Sequence, residues 1–290
     1  MKKQNYIFLA LIALFGGLYG CGIDRPIPQG ELPGFTDKIV VNASLDNINP
    51  MEMKISHAAG AYTNDLPEEY TSVAISLRKQ GSSIEIPFTY SNLTNSFVAS
   101  NPAEPGVTYE LEVVDTGGNL QTVTSRCVMP EQVLDKEIGY IENGGTDMDG
   151  RPSDLLSVKW IDVAGNNYYI VHFYYYSPTA DLFIPFDFEL NDPTLSAPET
   201  VKLVDGGYLF NDALFNGKEK TISVVPPGGL VANNPDVLYL IELRSVTEDY
   251  YRYHTTLQQY KDNDDIQRAG PFGSAIIVHN NINNGLGAFI

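Results

Sequence analysis

Histidine is the side chain most readily recruited to acid–base or metal chemistry, and the four here, His57, His172, His254 and His279, stand far apart with no i, i+4 pair. Their spacing gives no zinc site. Asp147-Met148-Asp149-Gly150, with Asp154 beyond, has the Asp-x-Asp-Gly texture of a calcium loop, where oxygen ligands gather around the cation. It lacks the third Asp at the odd position and the bidentate Glu at twelve. Asp147 and Asp149 therefore stay open between an incomplete calcium loop and a solvated turn. No Gly-x-Ser-x-Gly elbow or phosphate-binding glycine loop occurs, so the common esterase and nucleotide signatures are absent. Paired carboxylates for glycoside hydrolysis remain open, because sequence does not give the separation of any two of the 36 acidic residues. We read the chain as non-catalytic and without a cofactor.

Tyrosine offers a different chemistry, since its ring supplies apolar area and its hydroxyl a polar tip. Tyr174-Tyr175-Tyr176 and Tyr250-Tyr251-Arg252-Tyr253 could stack on a planar or sugar ligand or anchor a protein partner. They could equally fill a strand and helix core. Tyr174, Tyr175, Tyr176, Tyr251 and Arg252 are the partner-binding candidates, because interface hot spots favour Tyr and Arg.

Two cysteines carry the remaining chemistry. Met1 to Asn5 is a short positive segment, and Tyr6 to Leu18 is an apolar run too short to span a bilayer comfortably but of the length of a signal-peptide core. Leu18-Tyr19-Gly20-Cys21 follows and resembles a bacterial lipobox, in which the cysteine is diacylated and becomes the mature N-terminus. The expectation is a signal peptide over 1–20, lipidation at Cys21, and attachment to a membrane through acyl chains, each buried methylene of which contributes about 0.8 kcal/mol. The other reading is a secreted protein with Cys21 paired to Cys127. If Cys21 is acylated, Cys127 must be buried to be safe in an oxidising compartment.

What positions these groups is a chain of short strands. Eighteen Tyr and thirteen Phe against one Trp, with 25 Gly and 18 Pro, is a composition of strands joined by tight turns. The formal net charge of −18 repels phosphate backbones and anionic headgroups, which argues against nucleic acid as a partner. Residues 21–36, rich in Pro and Gly, form a tether. Residues 37–130 carry seven alternating segments at the spacing of an immunoglobulin-like β-sandwich, and Tyr109 after Pro105-Gly106 fits its tyrosine corner. Pro130 marks a boundary. Residues 131–290 form a second sandwich-like β domain in which Trp160 faces the core and Tyr168 to Tyr176 is apolar on both faces. It carries one helix near 246–261, with Ser245 and Glu248 as a capping box. The fold class is all-β.

The ending Asn280-Asn281-Ile282-Asn283-Asn284-Gly285-Leu286-Gly287-Ala288-Phe289 resembles the closing motif of a Bacteroidota lipoprotein family, domain of unknown function 4249. Other pieces agree in order: Cys21 and its tether, the strand from Ile39, Tyr109 with Leu111 leading to Met129-Pro130, Val158 to Asp162 before Asn167-Tyr168-Tyr169, and Tyr250 to Tyr253. The resemblance implies an outer-membrane lipoprotein working with a TonB-dependent β-barrel receptor in nutrient uptake, its substrate unknown. It implies no catalytic residue. The alternative is a structural or adhesive cell-surface lipoprotein.

Overall fold

The computed structural model describes residues 37–58, 70–190, 192–195, 200–227, 237–267 and 276–290. Cys21, the signal peptide and the tether lie outside the described residues. Residues 37–290 belong to one compact unit, all-β with a single helix among the described residues.

The chain first forms β1 (Ile39–Ser44), β2 (Glu52–His57), β3 (Val73–Lys79), β4 (Glu85–Ile86), β5 (Phe88–Ser91), β6 (Ser96–Ala99), β7 (Thr108–Asp115) and β8 (Val123–Val128). Alternation drives their packing: β7 reads buried at Tyr109, Leu111, Val113 and Asp115 and outward between them. The order β1-β2-β6-β5 faces β4-β3-β7-β8. That is the A-B-E-D and C′-C-F-G arrangement of the immunoglobulin sandwich. Tyr109 is buried and its hydroxyl oxygen accepts the Glu104 N–H at 2.8 Å, forming the corner expected from its position. Cys127 lies in this core, in no disulfide, and burial first, then the charge of Asp249, pushes its thiol up to about 12.

The second sandwich contains β9 (Glu137–Thr146), β10 (Pro152–Ile161), β11 (Tyr168–Ser177), β12 (Leu182–Pro185), β13 (Val201–Lys202), β14 (Tyr208–Asn211), β15 (Glu219–Val224) and β16 (Tyr239–Val246). One sheet is β15-β10-β9; the other has β11 between β16 on one side and β12 and β14 on the other, with β13 outermost. Leu156, Val158, Trp160, Tyr169, Val171 and Phe173 meet between them. Trp160, 1% exposed, has Tyr169 and Phe215 edge-on at 5.5 and 6.0 Å. The opposite face of β11 is covered too, because Ile170 packs with Leu209 and Val201 against Tyr250 and Tyr251 of helix α1 (Glu248–Gln267).

The helix starts differently from the sequence reading. Ser245 and Val246 stay paired to Tyr169 and Tyr168, so β16 runs two residues further than a Ser245 cap allows. Thr247 caps instead, its hydroxyl accepting the Tyr250 N–H at 2.9 Å and its carbonyl the Tyr251 N–H at 3.1 Å.

The C-terminal segment also departs from expectation. Assigned with 131–290 to the second β domain, it returns to the first sandwich as β17 (Leu286–Phe289), parallel to β1, with Val40 opposite Leu286 and Ala43 opposite Phe289. The closing motif is the machinery of this return. Asn281 accepts the Phe289 N–H at 2.9 Å and donates to its carbonyl at 2.7 Å, acting as a substitute strand partner. Asn283 exchanges backbone bonds with Thr124 in β8, at 2.8 and 3.4 Å. A Cβ on Gly287, at φ +108, would sit 2.0 Å from the Val41 carbonyl oxygen, and one on Gly285 would sit 2.8 Å from the Ile39 carbonyl oxygen. Only glycine allows so close an approach. The helix fastens the segment from the other side, Asp249 receiving His279 at 2.7 Å and Asn281 at 3.1 Å.

Candidate functional site

A cleft of about 600 Å³ lies between the sandwiches. One wall is the β1–β2 loop from Ser44 to Ile48 with Met129 and Ile290; the other is β16 from Leu240 to Val246 with Tyr174 and Tyr250. Interfaces between packed units are common places for ligand sites.

Strand alternation decides which side chains reach it. In β11 the residues Tyr169, Val171 and Phe173 turn to the core, so His172 and Tyr174 take the outer face. Pairing sets Glu242 directly opposite His172, and Arg244 two residues along on the same face. The Tyr174 hydroxyl donates to Glu242 Oε2 at 3.0 Å, and Arg244 Nε lies 3.3 Å from Glu242 Oε1. Burial first, then the charge of Glu242, pushes the Tyr174 hydroxyl up to about 12.

His172 is 2% exposed, with Nε2 3.0 Å from Asp205 Oδ1 and Nδ1 3.8 Å from Glu242 Oε2. The first contact lacks the alignment of a hydrogen bond and the second is too long for one, so both ring nitrogens are without a hydrogen-bond partner. Burial works against the charge of Asp205, but His172 and the Gly207 N–H outweigh it and hold the carboxyl below its ordinary range.

Asp46 is the cleft's contribution from the first sandwich. Burial opposes its charge, but the N–H groups of Ile48 and Asn49, the Asn49 amide and the charge of Arg244 outweigh it together and keep the carboxyl below its ordinary range. The charge of Arg244, on the opposite wall, is the weakest of these influences. Lys136, on the stretch joining the sandwiches, donates to the Leu243 carbonyl at 3.3 Å. No Ser, Thr or Cys among the described residues is hydrogen-bonded to His172. The arrangement offers polar groups of both signs over an apolar floor, which is the equipment of recognition.

Of the candidate residues from sequence, Tyr174 alone lines this cleft. Tyr175 turns inward against the second core. Tyr176 donates to Asp181 at 2.5 Å and packs on Phe183. Tyr251 is half-buried with its ring 4.8 Å from Tyr168, and its hydroxyl accepts from Asn211 at 3.2 Å. Arg252 is exposed and pairs with Glu248 one turn back at 2.5 Å. The tyrosine triplet is divided between two faces by the pleat, and the helix pair lies on a third surface.

Asp147 and Asp149 form a hairpin turn. Asp147 Oδ1 accepts the N–H groups of Asp149 and Arg151 at 3.0 and 2.7 Å, and Asp149 pairs with Arg151 at 3.1 Å. Among the described residues no three His, Cys, Asp or Glu side chains gather as a metal site.

The sequence reading missed Asp46, Asp205, Glu242 and Arg244. The polar positions in Ile241-Glu242-Leu243-Arg244 signal an outward face; Asp46 is bonded only to its own loop, at Ile48 and Asn49, and nothing in sequence sets that loop against Arg244.

Residues 25–290 match the family described as Domain of unknown function (DUF4249). The chain belongs to that family. The match takes in both sandwiches, the cleft and the returning strand. None of the curated proteins matches the chain. Among the described residues no helix is long and apolar enough to cross a membrane.

Proposed function

We propose that the protein is a lipoprotein, anchored to the outer membrane through Cys21, that serves as a non-catalytic, substrate-binding accessory of a TonB-dependent β-barrel transporter in nutrient uptake. The observation carrying this reading is the cleft of about 600 Å³, walled by both sandwiches and furnished with Tyr174, Glu242, Arg244 and Asp46. Its volume suits a small polar molecule, and groups of both signs would orient one. A lipid anchor confines the protein to two dimensions at a set height. Weak contacts with a membrane transporter then gain effective concentration that a free protein lacks.

The test begins with the anchor: Cys21→Ser is expected to abolish fatty-acid labelling, and labelling that survives overturns the anchor. For the role, mild crosslinking in intact cells is expected to recover a β-barrel transporter with the lipoprotein. Solutes that raise the melting temperature of the intact protein are expected to lose that effect in Arg244→Met and keep it in Arg252→Ala. Recovery of abundant lipoprotein with no barrel protein favours the structural or adhesive alternative.

A further inference from the structure

Strand β9 pairs along one edge with β10, and no other described strand meets its far edge. A free edge presents a row of unpaired N–H and C=O groups that fits only another extended backbone. Natural edges are commonly blunted by Lys, Pro or a bulge. From Glu137 to Ile141 there is no Lys or Pro and the register with β10 is regular; the irregularity begins after Ile141, where Glu142 to Gly144 oppose Asp154.

The side chains show that the layer stops one strand short. Tyr140 stands opposite Leu156 and Ile138 opposite Val158, so all four share the core face of the sheet. Leu156 and Val158 are 2% and 0% exposed, whereas Tyr140 and Ile138 are 56% and 59% exposed. Across the opening, Tyr239 and Ile241 of β16 are only partly buried. The floor is nonetheless fixed. Tyr140 and Tyr239 both donate to the buried Asp154, at 3.1 and 3.3 Å, and their rings lie 6.4 Å apart.

The rim supplies the charge preference. Glu137 and Glu142 of β9, and Asp135 two residues before it, are exposed. Lys159 is engaged with Glu137 and Glu219, and Lys136 with the Leu243 carbonyl, while no cation pairs with Asp135 or Glu142 among the described residues. An added strand would place every second side chain on Ile138 and Tyr140 and the others on the outward face, beside Glu137.

We propose that the free edge of β9 receives an extended segment of a partner polypeptide, roughly six residues long, with apolar residues alternating with basic ones. It continues the sheet β15-β10-β9 and closes the opening toward β16. Ile138 and Tyr140 do not line the cleft described above, although Ile241 borders both, so the test reads residues 137–142 and Ile138 and not solute binding.

The experiment uses the mature chain and the capped peptide Lys-Val-Lys-Val-Lys-Val. Two controls accompany it: one N-methylated at alternate amides, the other with Glu for each Lys. Addition of the peptide is expected to slow amide exchange over residues 137–142. Both controls, and the variant Ile138→Lys, are expected to bind at least about tenfold more weakly, whereas Ile161→Lys, exposed at the end of the neighbouring strand, retains binding. Unchanged exchange at β9, or equal binding of the Glu peptide, overturns the proposal. So does protection of 137–142 without peptide: with dimer formation the occupant is a second copy, and in a monomer it is the chain itself.

Discussion

In the first sandwich β1 has a neighbour on each side, β2 antiparallel and β17 parallel, whereas in the second β9 has β10 alone among the described strands. Both sandwiches bury alternating apolar residues, so alternation cannot account for the contrast. The difference lies in where the last four strand residues of the chain were spent. Closing β1 uses Leu286–Phe289 and buries Ala288 and Phe289; no described segment lies on the far edge of β9, and Ile138 and Tyr140 stay exposed. A sandwich holds together with one face of an edge strand uncovered, provided its central strands are buried. The edge closed by β17 contributes to stability, and the far edge of β9 is unpaired among the described strands.

The contrast can be broken most severely at Gly287. Valine there meets the Val41 carbonyl and a φ of +108, so Gly287→Val is expected to cost more than about 4 kcal/mol and leave little folded protein, as circular dichroism and soluble yield will show. Normal folding of this variant means that β17 can detach without harm.

A milder probe removes the plug and keeps the backbone. Phe289 is 0% exposed, and Phe289→Ala is expected to cost about 3–5 kcal/mol in urea unfolding, with the rate of Cys127 modification in dilute denaturant rising in step. Unchanged stability would place Phe289 outside the core.

Acid distinguishes the closed sandwich in another way. Asp115 accepts the Tyr70 hydroxyl and the N–H groups of Gly117, Asn119 and Leu120; the Tyr70 bond, ahead of burial which opposes it, leads in holding its carboxyl at about 2 against an ordinary 3.8. A depressed carboxyl binds fewer protons folded than unfolded, so its contribution is complete above pH 3.8 and is lost as pH falls through about 2. Asp115→Asn is expected to lower stability at neutral pH and flatten its decline over that window. Parallel declines for wild type and variant would discount the carboxylate.

The smallest effect belongs to the open edge. With Ile138 59% exposed, Ile138→Lys is expected to shift stability by no more than about 0.5 kcal/mol. A loss approaching that at Phe289 would mean the edge is closed by the chain after all.

Much of this was fixed by local pattern. Alternation in Val107 to Val114 and Leu155 to Trp160, the turn before Tyr109, and Trp160 on the inward phase lead directly to strands and cores, because a pleated strand with one wet face must alternate. The two-sided apolar run of β11 likewise announced a strand covered on both faces, and the Thr247–Glu248 region a helix start displaced by two residues. Three matters were decided only by tertiary structure. The closing Asn-Asn-x-Asn-Asn-Gly-Leu-Gly motif identifies the family, but its partner strand lies nearly the whole described chain away, and a parallel pairing leaves no local turn as a sign. The cleft draws Asp46 and Arg244 from different sandwiches, and such a juxtaposition has no period in sequence. Glu137 to Glu142 looks in sequence like any half-polar segment; that it is an edge, with its inward residues uncovered, depends on the strand that is not beside it.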